Sequence, residues 1–444
     1  MNKKPNEVFT PRNPTVNPEM YIERPNLERS LRRAIDGSQH ILVHGESGCG
    51  KTWLYKRILE NDGIVLTVAN LGNASRLGGI VNEIENSVAE FSGAIKTGYK
   101  ETKEAEINAG VARGALTHEG EFETPQIDGL ERAFKSLRQQ AGKRKCCLVL
   151  DNLESIFRNK KLMSELGDIV LLLDDPRYAE YEVKLLIVGV PEGVREYFSR
   201  TENRLIVTNR LYEIPEVGSL TPAQLAHFIH TGFIKELGCR LDDEMAKDLC
   251  RFAFFITSGV PQMLHEFCLE LAYIAEDNHD VITEPMLKSA AAMWLQASLS
   301  SSYSAVEEMM NDRSTVAGRR NQVLFALGQV HKDSFNYSDI EAIVRREFPA
   351  STAGKTLNIS GILSELADRE NSLIKRSRKA NSYSFVDPKY RMCIRVMLED
   401  RGQRVQKLDI RHIPLLPETS ITIPTGLSNI KMHQARHHLG LYLY

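Results

Sequence analysis

The chain has 444 residues, of which 42% are hydrophobic and 26% charged, with a formal net charge of −2 at pH 7. That length exceeds one ordinary core and predicts two or three domains of soluble globular type. No apolar run approaches the roughly 20 residues of a membrane span, no apolar stretch follows Met1-Asn2-Lys3-Lys4 to make a secretory signal, and the seven cysteines, without C-x-x-C spacing, read as reduced core thiols of a cytoplasmic protein.

Residues 1–20 carry Pro5, Pro11, Pro14 and Pro18 among polar residues. They are expected to form an extended, poorly ordered arm. Residues 21–220 read as an α/β core. A helix from Asn26 to Ile35 precedes the strand-like run Ile41-Leu42-Val43.

Gly45-Glu46-Ser47-Gly48-Cys49-Gly50-Lys51-Thr52 follows, and Trp53 opens a helical stretch to Leu59. This is G-x-x-x-x-G-K-[ST] between a strand and a helix, the context that makes the motif a phosphate-binding loop. Glycines let backbone N–H groups converge on phosphate oxygens, and the helix N-terminus adds its positive end. Lys51 is expected to reach the outer phosphates of ATP and Thr52 to ligate Mg2+.

Ile64–Val68 reads as a second strand and Ile80–Phe91 as a helix. From about 92 to 126 the pattern fails, and the stretch reads as an insertion with a hairpin around Gly93–Lys100 and Val111–Glu123. It is either a surface excursion or a contact element for a neighbour. A helix from Ile127 to Ala141 leads to Cys146-Cys147-Leu148-Val149-Leu150-Asp151-Asn152-Leu153-Glu154. An apolar strand ending in an acid delivers Asp151 to the sheet edge beside the phosphate loop, where it can hold Mg2+ through water. Asn152 cannot accept a proton. Glu154 is the nearest carboxylate, so either it acts as base or hydrolysis is slow. Leu185–Pro191 reads as another buried strand. Leu205–Thr208 and Leu211–Ile214 bracket Asn209-Arg210, and Arg210 is a candidate arginine finger toward a neighbouring subunit, with a plain surface arginine as the alternative.

From Thr221-Pro222 the period becomes helical, and residues 221–298 read as a helical lid containing Ser258-Gly259-Val260-Pro261-Gln262. Ser298–Ser304 reads as a linker. Residues 299–401 show three helices, two strand-like runs and a closing helix, the order of a winged helix. Its wing bears Lys375, Arg376, Arg378 and Lys379, which could meet DNA phosphates or stand solvated. From Arg319 onward there are 20 Lys+Arg against 12 Asp+Glu, a basic module on an otherwise acidic chain. Residues 402–444 are a basic tail whose His433, His437 and His438 read as solvated.

The order of GESGCGKT, VLDNLE, LLIVGV, NRLYEI, SGVPQ and the winged helix resembles AAA+ ATPases of the origin-recognition and replication-initiator type. It is also similar to transposon target-selection ATPases and to STAND signalling ATPases. The resemblance implies an α/β fold: a P-loop AAA+-type parallel sheet with a helical lid, followed by a winged-helix domain. It places the segment Tyr21–Arg24 beside the adenine, with plain packing of that segment as the alternative, and, from the STAND proteins, Pro261 against the adenine. Such ATPases usually put a polar phosphate sensor after the fourth strand, where this chain has Gly189-Val190. Initiators usually have a lid arginine where it has Gln262-Met263. The Asp151-Asn152 pair matches STAND proteins. Two functions stay open: an ATP-controlled homo-oligomeric switch that engages double-stranded DNA, or a STAND-like regulator of a separately encoded effector protein, plausibly in anti-phage defence.

Overall fold

A computed structural model of the chain describes residues 3–91, 128–189, 207, 209–311, 318–377, 381–400, 402 and 404–408. The chain forms two compact units, Glu23–Gly218 and Met1–Ile22 together with Ser219–Tyr444.

The Glu23–Gly218 unit is built on five parallel strands: β1 (His40–His44), β2 (Val65–Asn70), β3 (Cys146–Asp151), β4 (Val183–Gly189) and β5 (Leu211–Glu213). Their order across the sheet is β2-β3-β4-β1-β5. Covered on both faces, these strands read as unbroken apolar runs rather than alternating ones. Leu42, Leu148, Leu150, Leu185 and Ile187 face one core, with the helices Ile80–Phe91, Gly129–Ala141 and Lys160–Leu172. Ile41, Val43, Cys147, Val149, Leu186 and Val188 face the other, with the helices Pro25–Asp36 and Lys51–Asn61. All strands point the same way, so the turns after β1, β2, β3 and β4 meet at one edge. That edge is where open α/β sheets bind ligands.

The second unit is helical, with one large core. Asp242 and Thr221 cap its helices Asp243–Thr257 and Pro222–Ile229, as their side-chain chemistry predicts. Pro261–Asp277 and Glu284–Ser298 follow. Two expectations are corrected here. The N-terminal residues are not an extended arm: Pro5–Val8 is helical and Val8, Phe9 and Met20 are buried. The Phe9 ring packs 4.8 Å from that of Phe233, in space that Gly232 leaves open. A Cβ at Gly232 would lie 2.5 Å from that ring. Proline content obscured the anchoring Val-Phe pair. The serine stretch is not a linker either, because Ser300–Met309 is a helix that buries Tyr303, Val306 and Met309 in the same core.

Residues 319–397 form helices Arg319–Gln329, Tyr337–Glu347 and Ile359–Asp368, an antiparallel ribbon β6 (Ile374–Arg376) and β7 (Tyr383–Phe385), and a closing helix Pro388–Met397. A single bridge joins Phe335 to Tyr383. A second ribbon follows, β8 (Leu398–Asp400) with β9 (Val405–Lys407). The hairpin expected within 92–126 and the three tail histidines lie outside the described residues, as does all of Leu205–Thr208 except Val207. Among the described residues no helix is long and apolar enough to cross a membrane, and all seven cysteines are free thiols.

Candidate functional site

β1 ends at His44, and the chain turns through Gly45–Gly50 into the helix Lys51–Asn61. Gly45 is required by close approach, since a Cβ there would lie 2.2 Å from the Val217 carbonyl oxygen. Gly50 has φ +88°, a left-handed backbone that favours glycine, and it is the residue before the helix. Glu46 and Ser47 are exposed, Cys49 is buried and Trp53 half-buried. The Lys51 Nζ donates to the loop's own carbonyls, Gly45 at 2.8 Å and Glu46 at 3.0 Å. The loop therefore curls around the lysine tip.

β3 brings Asp151 to the same edge. Thr52 Oγ1 lies 3.4 Å from Asp151 Oδ2, although the two residues are 99 apart in sequence. The other carboxylate oxygen, Oδ1, accepts the Asn152 N–H at 2.8 Å. Asn152 itself is left-handed, with φ +61°. Its Nδ2 donates to Asn70 Oδ1 at 3.0 Å, and Asn70 is the last residue of β2. Glu154 is exposed in the single helical turn Leu153–Ile156 that leaves β3.

Three partners of this site were not singled out in the sequence. Tyr55, fully buried, donates its hydroxyl to Asp151 Oδ2 at 3.0 Å. Burial, and then the neighbouring Asp151 carboxylate, push its phenol far up, so it stays protonated. Its spacing from Thr52, one helical turn, was the available signal. Arg24 donates to the Cys49 carbonyl at 2.9 Å and the Gly218 carbonyl at 2.8 Å, tying the segment before the first helix to the phosphate loop. Glu83, buried, accepts the Asn70 N–H at 2.9 Å. The resemblance pointed to the segment that contains Arg24 but not to these carbonyls, and nothing in the sequence marks Glu83.

Other expected residues are not brought to this edge. Arg210 precedes β5, and its carbonyl accepts the N–H of His40 at the start of β1. It thus lies at the opposite edge of the sheet, separated from the loop by the length of β1, about 15 Å. Its Nε sits 2.6 Å from Asp174 Oδ2. Beside it His40 is half-buried, and this desolvation, with Lys184 near it, pulls its imidazole down to about 4 and keeps it neutral. Gly189 ends β4 beside His44 and has no side chain to offer.

Pro261 belongs to the other unit. It opens the helix Pro261–Asp277 after Ser258 and Gly259, both left-handed. A Cβ at Gly259 would lie 2.5 Å from the Leu220 carbonyl oxygen, so the turn is pinned by glycine. Lys375 and Arg376 are exposed on β6, and Arg376 donates to Asn381 Oδ1 at 3.1 Å. Arg378 and Lys379 lie outside the described residues.

Residues 33–198 match the AAA domain family. The matched stretch holds both the phosphate loop and the strand that ends in Asp151. Its fold is similar to that of a Walker-type ATPase of Pyrococcus abyssi, at 14% identity and a TM-score of 0.51, over 87% of this chain and 99% of that one. Weaker likenesses are to the ORC2 protein of Aeropyrum pernix in its ADP form (14% identity, TM-score 0.46, 89% and 97% covered) and to Cdc6p of Pyrobaculum aerophilum (14%, 0.43, 88% and 97%). At that distance the last two bear on nothing further. No curated protein sequence matches the chain.

The residues present fit a magnesium nucleotide. A glycine cradle closes on a lysine, and a hydroxyl and a carboxylate converge beside it, the hard oxygen donors that Mg2+ takes. Thr52 and Asp151 would hold Mg2+ here, and the ion would supply positive charge to offset that of the phosphates.

Proposed function

We propose that this chain binds ATP with Mg2+ at residues 45–52 and Asp151, hydrolyses it slowly, and uses the nucleotide state to control its assembly into a homo-oligomer. The observation that carries the reading is the approach of Thr52 to Asp151 beside the glycine loop. Lys51 leaves the loop carbonyls for the outer phosphates. Thr52 and Asp151 would hold Mg2+ beside them. Asn152 offers no proton acceptor, so Glu154 takes the base role at low efficiency. Arg210 acts, in this reading, on the nucleotide of a neighbouring subunit, away from its own loop.

In the same reading residues 299–401 are a winged helix that engages double-stranded DNA through the wing cations Lys375, Arg376, Arg378 and Lys379. One observation favours a second reading. The helix that precedes the ribbon, Ile359–Asp368, the third of the three long helices of residues 319–368, carries Glu365 and Asp368 but no lysine or arginine. Base readout in a major groove typically uses arginine, lysine or amide side chains, and phosphate contacts are cationic. A module with an anionic third helix suits contact with a separately encoded effector protein. Sedimentation of the chain with a non-hydrolysable ATP analogue, with and without duplex DNA, tests the proposal. The expected result is a larger species with analogue and Mg2+, larger again with duplex. A single unchanged species throughout rejects it.

A further inference from the structure

We propose that Tyr55 is a positioning residue for the magnesium half of the site, holding the Asp151 carboxylate in the orientation in which it and Thr52 receive the metal. The inference rests on the Mg2+–ATP reading above and goes beyond it.

The geometry begins with the helix after the phosphate loop. Thr52 and Tyr55 are one turn apart and therefore share a face. Tyr55 is fully buried, and its ring is part of the core formed by Leu31, Ile41, Leu54 and Val149. A phenylalanine would fill that space equally well. The hydroxyl therefore needs a separate explanation, because a buried hydroxyl must find a partner. The partner here is the carboxylate at the end of β3, at 3.0 Å.

The two oxygens of Asp151 are thus held by different donors. Oδ1 is fixed by the Asn152 backbone N–H at 2.8 Å. Oδ2 is fixed by Tyr55, with Thr52 Oγ1 at 3.4 Å. One donor alone leaves a carboxylate free to turn about its Cβ–Cγ bond, whereas one on each oxygen fixes its plane. A carboxylate oxygen only accepts, so in this contact the Tyr55 hydroxyl is the donor. A hydrogen bond to an ionised acceptor is also stronger than a neutral one. Residues that hold a metal-binding carboxylate in this way typically account for about 10- to 100-fold of metal affinity.

The test uses the full chain and Tyr55→Phe, which removes only the hydroxyl. ATP binding is titrated in excess EDTA, and then the Mg2+ concentration that gives half of the metal-dependent gain in affinity is measured. Tyr55→Phe is expected to bind ATP as the parent does in EDTA and to need about 10-fold more Mg2+. Tyr55→Met, an adaptable core residue, is a second hydroxyl-free variant that must show the same shift, and it serves if Tyr55→Phe does not fold. Ile58→Val loosens the same helix without touching the site and is expected to match the parent. Adding Tyr55→Phe to Asp151→Asn is expected to change nothing further.

The outcomes separate the two claims. A parent whose ATP binding ignores Mg2+ rejects the site itself, and this inference with it. A parent that responds to Mg2+ while Tyr55→Phe responds at the same concentration rejects the inference alone. An Ile58→Val variant with the same Mg2+ shift assigns the effect to packing and rejects it as well.

Discussion

The amide of Asn152 is tied to the amide of Asn70, Nδ2 to Oδ1 at 3.0 Å, where the third and second strands reach the sheet edge. Asn70 Oδ1 also accepts the Gly72 N–H, so the pair is anchored to the start of the next helix. An amide held there cannot take a proton from an attacking water. Turnover is therefore expected below the roughly 1–100 s⁻¹ of active phosphoryl-transfer enzymes such as kinases. Asp151→Ala should abolish hydrolysis. Glu154→Gln should slow it by about 100-fold, the lower range for a general base, while ATP binding stays as in the parent. Phosphate release at the parent rate from Glu154→Gln would show that Glu154 is not the base.

Arg210 is held by Asp174 within its own subunit. The pair is partly exposed, so losing it should cost at most about 1 kcal/mol of stability. If Arg210 serves a neighbour, Arg210→Ala should lower hydrolysis without weakening ATP binding to the isolated subunit, and the parent's specific activity should rise with concentration. Activity per subunit that is flat on dilution would leave the residue with only its ion pair.

Arg24 joins the Cys49 and Gly218 carbonyls. Hydrogen bonds to a charged donor are worth about 1.5–3 kcal/mol, so Arg24→Ala should lower the melting temperature and weaken ATP binding by loosening the loop. Unchanged ATP affinity by calorimetry would confine Arg24 to a packing role.

The N-terminal residues should be needed for stability. Phe9→Ala removes a fully buried ring and should cost about 3–5 kcal/mol. Nearby, His265 is buried and accepts the Thr10 N–H through Nδ1 at 3.2 Å. Burial lowers its pKa to about 3. Because the folded value lies below the unfolded one, the unfolded state binds the proton first. This contribution is complete above the unfolded value, about 6.5, and is lost as pH falls toward 3. A His265→Gln variant should therefore lose less stability than the parent between pH 7 and about 5, measured by denaturant unfolding. Equal losses would mean that His265 does not set this slope.

Charge reversal at Arg376 and Arg378 should weaken duplex binding for all sequences alike. It should also flatten the log–log salt slope by about two, because each phosphate contact contributes about 0.9. ATP binding should be unaffected. Identical anisotropy curves for parent and variant at every salt concentration would end the DNA reading of the wing and favour the protein-contact one.

The phosphate loop, the Asp151 strand and the helical second half were legible because each rests on local pattern. Glycines at fixed spacing, an unbroken apolar run ending in an acid, and a Thr-Pro helix start all show in a short window. What was not legible depends on contacts far apart in sequence. Tyr55 reads as one more apolar helix residue until β3 places Asp151 against its hydroxyl. Arg24 is one of many arginines until the chain folds Cys49 and Gly218 beside it. The proline-rich start differs from its sequence reading because composition outweighed Val8 and Phe9, and Phe9 sits in space left by Gly232, more than 200 positions away. The serine run was misread because serine is tolerated in a helix when its neighbours Tyr303, Val306 and Met309 supply the buried face.

Calorimetric titration of ATP, with Mg2+, into the parent chain and into Lys51→Ala tests nucleotide binding at the glycine loop most directly. Saturable binding at one site per chain is expected in the parent. None is expected in the variant, because the loop's amides alone leave the outer phosphate charge uncompensated. Near-parent affinity in Lys51→Ala would contradict a phosphate-binding role for the loop.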